Sequence, residues 1–379
     1  MIKRFLFIFF WASSAYAQER LVIPFEMPSA RAEASGGFHS ALTDDFQSAF
    51  FNPAGFAALN PVKLYSETSL QIKSVENVYN LYLDKFSGDA LLRLIRERIE
   101  AGIVLGGPLC FGGINNGFGW RVYNAFRLNF SWDNNNVFVV RPMISEEFAA
   151  AFGYGLRLVD YNGITLDAGA FAQGFYRIVY EPEDVFVQEL RHFFAEIDQN
   201  PYATEIGVSF NAGLRWTKND NFSLAFSCRN LAPPVYTSYH YNLYKLFQSN
   251  VYKNVWGRMT PGLQAGFTVR FPSEIMHRWN TDLIFSADYS GIYELFAGSE
   301  KDLLLFIGAG IELRILEVLS LRGGWSEWSP CGGIGIDFTS FLLDISVSGK
   351  PISGSINDKK IWSISLNLSF MRRDYLADH

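Results

Sequence analysis

Residues 361–370 read Ile-Trp-Ser-Ile-Ser-Leu-Asn-Leu-Ser-Phe, and from Trp362 onward the run alternates without a break. Trp362, Ile364, Leu366, Leu368 and Phe370 fall on one side; Ser363, Ser365, Asn367 and Ser369 fall on the other. A helix of about 3.6 residues per turn would scatter the serines through the apolar stripe, whereas a strand of period two separates the two sets. The two faces want different solvents. Two architectures meet that demand: a water-soluble sandwich that buries the apolar face on a second sheet, or a membrane barrel that turns it to lipid and lines a lumen with Ser and Asn.

Composition and the N-terminus favour the barrel. Hydrophobic residues make up 49% of the 379 and aromatics 16%, while charged residues are 18%, against about 25% in an ordinary soluble domain. Belts of Phe, Tyr and Trp at the two edges of a membrane use such a surplus. The chain opens Met1-Ile2-Lys3-Arg4, is apolar from Phe5 to Ala12, and reaches Ala15-Tyr16-Ala17 before Gln18. That order of basic, apolar and small residues is a secretory signal peptide over 1–17. Beyond it no apolar run approaches the ~18 residues of a membrane-spanning helix. An exported, apolar chain of this kind is expected in the outer membrane of a diderm bacterium.

Alternating segments of roughly strand length follow one another: 118–128, 148–159, 164–173, 206–216, 222–229, 262–271, 281–289, 303–315, 318–325, 331–338 and 341–348, with weaker ones at 64–72, 103–111 and 137–144. With the last strand they number fifteen. Single-chain bacterial barrels close on an even number, so one is miscounted. Lys218-Asn219-Asp220-Asn221 joins two of them as a hairpin. Residues 89–102 and 185–199 carry apolar side chains at helical spacing and are expected to be amphipathic helices in long outer loops, either forming an entry groove or packing on the rim. The Tyr-rich stretch 236–256 is expected to be a third long connection.

Residues 18–62 do not alternate. They contain a small-residue tract, then Asp44-Asp45, then Phe46 to Phe51, then Asn52-Pro53-Ala54-Gly55-Phe56. Asn and Pro ahead of Gly favour a tight turn, since Pro53 fixes φ and Gly55 tolerates left-handed geometry. Asp44 and Asp45 can accept backbone amides or pair with lumenal arginines. This stretch resembles the N-terminal hatch of the FadL type of outer-membrane long-chain fatty-acid transporters, and the rest of the chain is more diffusely similar to their spirochaetal branch. The resemblance implies an all-β, transmembrane antiparallel barrel of about 14 strands (63–370), plugged by a hatch (18–62) and followed by a C-terminal extension (371–379). Fourteen is also one fewer than the strand count.

Strand parity predicts the lining. In 206–216 the apolar residues share one face, which places Gly207, Ser209, Asn211, Gly213 and Arg215 inside. The same rule turns Arg121, Arg127, Arg157, Arg229, Arg270, Arg314 and Arg322 inward, with Asp167 and Glu312 as the acids against them. An arginine facing lipid at the midplane costs ~2–4 kcal/mol. A basic wall beside phenylalanines suits an amphiphile whose carboxylate pairs with a guanidinium. The candidate ligand contacts are Phe46, Phe50, Phe51, Phe56, Arg157, Arg215, Arg314 and Arg322; most of the arginines are expected to hold hatch acids instead.

No catalytic constellation is present. His39, His192, His240, His277 and His379 include no pair at metal-ligand spacing. Cys110, Cys228 and Cys331 are too scattered for a metal knuckle or a disulfide framework, and Cys228 shares the apolar face of its strand. The expected function is passive uptake of hydrophobic compounds such as long-chain fatty acids, gated by the hatch, with no enzyme activity and no cofactor. The alternative is a non-transporting barrel that acts as a protein-interaction platform or surface antigen. Expected partners are the hydrophobic ligand, outer-membrane lipid and the barrel assembly machinery, with no nucleic acid and a monomeric state.

Overall fold

A computed structural model describes residues 20–22, 25, 27–75, 101–132, 139–180, 185–186, 201–231, 234–242, 251–271, 280–298, 301–338, 340–351 and 355–373. The expected signal peptide, most of the two loop helices and the end of the C-terminal extension lie outside these residues.

The described chain is an antiparallel β-barrel of fourteen staves. They are β1 (Val62–Lys73), β2 (Ala101–Gly106 and Phe111–Asn115), β3 (Phe118–Trp132), β4 (Val139–Tyr161), β5 (Ile164–Tyr180), β6 (Tyr202–Lys218) and β7 (Phe222–Arg229 and Pro234–His240). There follow β8 (Val251–Met259 and Gly262–Phe271), β9 (Thr281–Tyr289), β10 (Ile307–Ile315), β11 (Leu319–Ser326), β12 (Ser329–Asp337), β13 (Phe341–Pro351) and β14 (Lys360–Arg373). β14 pairs with β1, Asn367 opposite Ser69 and Phe370 opposite Ser66, and closes the ring. The three interrupted staves break where the sequence has Pro108, Pro233-Pro234 and Pro261, residues that cannot donate to a ladder.

The strand count is corrected at one place. The described part of the expected 137–144 strand and the expected 148–159 strand belong to a single 23-residue strand, β4. Four further expectations change. Residues 236–240 and 251–256 extend β7 and β8 instead of looping out. Val185–Phe186, the start of an expected helix, pairs as a short strand with Val139 and Val140. Leu303–Phe306 is a 3-10 turn ahead of β10. The last strand runs through Arg373, three residues past the expected end at Phe370.

Alternation sorts the side chains as a membrane barrel requires. In β14, Ser363, Ser365, Asn367 and Ser369 are buried while Trp362, Ile364, Leu366 and Phe370 are exposed. In β6, Ile206, Val208, Phe210 and Leu214 face out. There is no second sheet to cover this apolar exterior among the described residues, so the outward face meets lipid. Cys228 shares the outward parity of Leu224 and Phe226, and all three cysteines are free.

The wall is uneven in height. β4 has 23 residues and β5 and β6 have 17 each, whereas β9, β10 and β12 have nine and β11 has eight. At about 3.3 Å per residue and a tilt near 40°, nine residues rise roughly 23 Å, close to the ~25 Å apolar band of such barrels. The taller staves therefore overtop the membrane. Tight turns with left-handed Asn116, Asn162, Asn219 and Asp220 close one end, and the longer connections cluster at the other. By the usual rule the tight-turn end is periplasmic, and "upper" and "lower" below follow that orientation.

Candidate functional site: a plugged lumen

The segment between Ala30 and Ala57 lies inside the ring and touches every stave. Its helix α1 (Ala30–Ala34) is capped by Ser29, whose side chain accepts from Ala32 N. Ala30 N donates to Asn367 Oδ1 of β14 at 2.6 Å, and Ser348 of β13 donates to Glu33 at 2.5 Å. Ala34 and Gly36 pack on Gly333 of β12 and Gly324 of β11, and Arg31 pairs with Glu312 of β10 at 2.9 Å. Asp288 of β9 accepts from Ser40 N at 2.9 Å, and Gln264 of β8 donates to the Phe38 carbonyl at 2.6 Å. His39, considered for metal, is an anchor: Nδ1 lies 3.1 Å from Asp288 and Nε2 2.6 Å from the Ser35 carbonyl.

The second half completes the circuit. Helix α2 (Phe46–Phe51) starts at Asp45, whose carboxylate accepts from Ser48 N at 2.6 Å while Ser48 Oγ accepts from Asp45 N at 3.1 Å. Such a reciprocal box satisfies two helix-end donors. Phe51 lies under Arg229 of β7, and Gln47 donates to Glu67 of β1. Phe46 rests on Gly112 of β2, and Phe56 on Gly119 of β3 and Gly155 of β4. The predicted turn at Asn52 is a 3-10 helix, Pro53–Ala57, capped by Asn52 Oδ1, which accepts from Ala54 N at 3.1 Å. Asn52 and Pro53 press against Gly213 of β6 and Gly169 of β5, where a β-carbon would collide with them. Inward glycines are thus the slots that admit the plug. Gly55 does not use the left-handed geometry it tolerates; glycine is required because a β-carbon would strike Thr43.

The four candidate phenylalanines seat this plug. Phe46, Phe50 and Phe56 are buried with Tyr65, Ile114, Ala151 and Phe171 of the wall, with Phe46 stacked on Tyr65 at 4.1 Å between centroids. Phe51 stacks on Phe38 at 4.6 Å.

The expected arginines all face inward. Arg314 reaches Asp44 at 2.5 Å, Arg270 reaches it at 3.3 Å, and Arg31 of the plug itself bridges Asp44, Asp45 and Glu312. Burial pushes the Asp44 carboxyl up, yet the Arg31 and Arg314 guanidiniums outweigh it and hold the group well below the usual carboxylate range. Arg322 pairs within the wall, with Glu312 at 3.4 Å and with Asp344. Arg157 bonds Asp167 at 2.9 Å. Arg215 sits across from Asp167 in register but bonds hydroxyls, Thr217 at 3.0 Å and Thr43 at 2.5 Å. Hence Arg215, Arg270 and Arg314 surround the lower edge of the plug, and Arg322 joins them through Glu312.

The wall is less basic than parity suggested. Glu67, Glu147, Glu205, Asp288 and Asp344 are also buried inside. Asp288 and Asp344 share the inward parity of Ser286 and Ser346, a signal present in the sequence. Glu147 and Glu205 take up Arg177 at 2.6 and 3.1 Å.

Above the plug an apolar cluster spans the lumen beside the Glu147–Arg177–Glu205 ion pairs. Val22, Phe25 and Met27 cross the lumen and pack on Val104, Tyr123, Ala149, Phe175, Val235 and Met259, with Arg127 over the Phe25 ring at 4.8 Å. The strand Arg20–Val22 that leads in pairs in parallel with Gly257–Met259, on the edge of β8 opposite β7. Below, a cavity of about 260 Å3 opens between the plug and β6–β8, lined by residues that include Leu42, Asp44, Leu59, Arg215, Asp220, Ser223, Thr268 and Arg270.

A closed, internally plugged transmembrane β-barrel is therefore the class of protein that the geometry defines. No protein-family model and no curated protein matches the chain. Solved structures do resemble it. A deletion mutant of the monoaromatic hydrocarbon channel TodX gives a TM-score of 0.50 at 12% identity, covering 92% of this chain and 100% of that one. The toluene transporter TbuX of Ralstonia pickettii gives 0.50 at 10% identity, over 92% and 98%. The monoaromatic hydrocarbon channel CymD gives 0.50 at 10% identity, over 94% and 99%. At such identities the likeness is one of fold, and the fold is the FadL-type barrel that the sequence around Asp44–Gly55 resembles.

Proposed function

We propose that this chain is an outer-membrane channel for passive uptake of hydrophobic compounds, with residues 18–62 as its hatch. The observation that carries the reading is the plug that touches all fourteen staves beneath an apolar cluster in the upper lumen. A hydrophobic solute is favoured in that upper space because it removes apolar surface from water. The ion pairs and slots below then bar free diffusion of polar solutes until the plug shifts. The structural neighbours whose names specify toluene or monoaromatic hydrocarbons support a small apolar cargo, and long-chain fatty acids remain within the same proposal. No step requires a cofactor, an energy source or a catalytic group.

The test is flux into liposomes that contain the purified full-length protein. Labelled oleate and toluene are expected to enter faster than into empty liposomes, while a polar sugar of similar size is excluded. Deletion of residues 18–62 is expected to admit the sugar. Uptake of both hydrophobic probes at the empty-liposome rate would leave no channel to gate.

A further inference from the structure

The cavity on the periplasmic side of the plug has a chemistry that its neighbours in the lumen lack. Arg215 lines it, and every hydrogen bond of that guanidinium goes to a neutral hydroxyl, Thr217 or Thr43. No carboxylate lies within ion-pair distance of Arg215 among the described residues. Arg270 also lines it, and its partner Asp44 is already shared with Arg31 and Arg314, both at shorter range. Asp220 sits on the exposed turn at the rim. The pocket therefore presents two guanidiniums against Asp44, whose charge is divided among three arginines, and Asp220 at the exposed rim, while Asp167 opposite Arg215 is taken up by Arg157. Ser223 and Thr268 add hydroxyl donors, and Leu42 and Leu59 supply an apolar side.

Resting on the channel reading above, we propose that this cavity is an exit-side site for a carboxylate, held between Arg215 and Arg270, so that the barrel favours hydrophobic acids over neutral hydrocarbons. An Arg-carboxylate contact is a charge-assisted, geometrically matched bond, and a second guanidinium nearby strengthens it. At about 260 Å3 the space is slightly below the ~300 Å3 at which small-molecule sites usually begin. It holds a headgroup with a ring or a few methylenes, which makes a monoaromatic acid a better fit than a whole acyl chain.

The experiment is calorimetric titration of the full-length barrel in detergent with benzoate and with benzyl alcohol, which match in size and differ in charge. Benzoate is expected to bind at least about tenfold more tightly, the equivalent of one charge-assisted hydrogen bond, with the difference shrinking as salt is raised. The double variant Arg215→Gln, Arg270→Gln is expected to abolish the difference while keeping heat-modifiable migration. Should the double variant fail to fold, Arg215→Gln alone is expected to reduce the difference and Arg215→Lys to restore part of it. Equal affinities in the unaltered protein, or an undiminished preference for benzoate in the Arg215 variants, overturn the proposal. If toluene still enters liposomes in that case, the channel reading survives the failure of the acid site.

Discussion

The upper and lower halves of the lumen are filled by the same N-terminal segment in opposite ways. Above, Val22, Phe25 and Met27 meet the wall through apolar contact, an interaction without direction that a hydrophobic solute can imitate. Below, residues 30–57 are held by a circuit of hydrogen bonds, ion pairs and glycine slots, each of which demands one partner in one place. The difference assigns labour. The upper half can exchange its own side chains for a ligand at little net cost in buried area, whereas the lower half resists any occupant that does not reproduce its polar partners.

Asp44 is where that contrast is expected to break most completely. Three arginines converge on it, and removing the one acid from a buried pair leaves uncompensated charge at ~3–5 kcal/mol. Asp44→Asn is therefore expected to loosen residues 30–57 without unfolding the barrel, seen as lost amide protection confined to the plug and as open-channel conductance in planar bilayers. Acid reaches the same state more gently. Because the folded group titrates well below its ordinary value, its contribution is fully present above the unfolded carboxylate pKa of about 3.9 and is lost only as pH falls through the depressed folded value. The Asp44 contribution to plug protection is expected to fall below about pH 4. Loss of that contribution between pH 7 and 5 would place the latch elsewhere.

A smaller effect is expected from the slots. A leucine at Gly169 would have to displace the Pro53 carbonyl, and overpacking of this kind costs ~1–3 kcal/mol. Gly169→Leu is expected to destabilise the plug by that amount and to raise conductance partially. The same substitution at Gly174, an outward-facing position in register with exposed Val208 and with open space around it, is expected to leave the lower plug seated. Equal behaviour of the two variants would mean that the glycines serve the strands and not the plug.

How much of this was legible from sequence follows the same division. The serines of β14 and the glycines and Ser209 of β6 declared the fold, because a barrel wall sorts side chains between two solvents at every second residue. Alternation blurred where the staves rise above the membrane. Glu146 interrupts the outward face of β4, and Asn254 does so in β8, since water on both sides removes the penalty that writes the pattern. Those are the places where one strand was counted as two and where strands passed for a loop. Inside, the arginines were legible as inward-facing, but their partners were not. Asp44 meets residues 226 and 270 positions away, and nothing local in a sequence says which of several lumenal charges will meet. Gly55 taught a related lesson, since the residue type was informative while the reason for it, close packing on Thr43, lay twelve positions upstream.

The finest test separates direction from charge within the plug. Phe50 lies under Arg121 at 4.5 Å and Phe51 under Arg229 at 4.4 Å, so neighbouring rings of α2 are each faced by a guanidinium plane. Contacts of this type are worth ~0.5–1 kcal/mol where partly exposed and more when desolvated, and lysine keeps the charge while losing the planar stack. Arg121→Lys and Arg229→Lys together are expected to lower the protection of 46–51 by roughly 1 kcal/mol, with the Asp44 cluster and the fold intact. The loss is expected to persist in high salt, which screens exposed ion pairs but hardly touches a buried stack. If added salt erases the difference between these variants and the unaltered protein, the rings contribute only as spacers, and charge alone seats the plug.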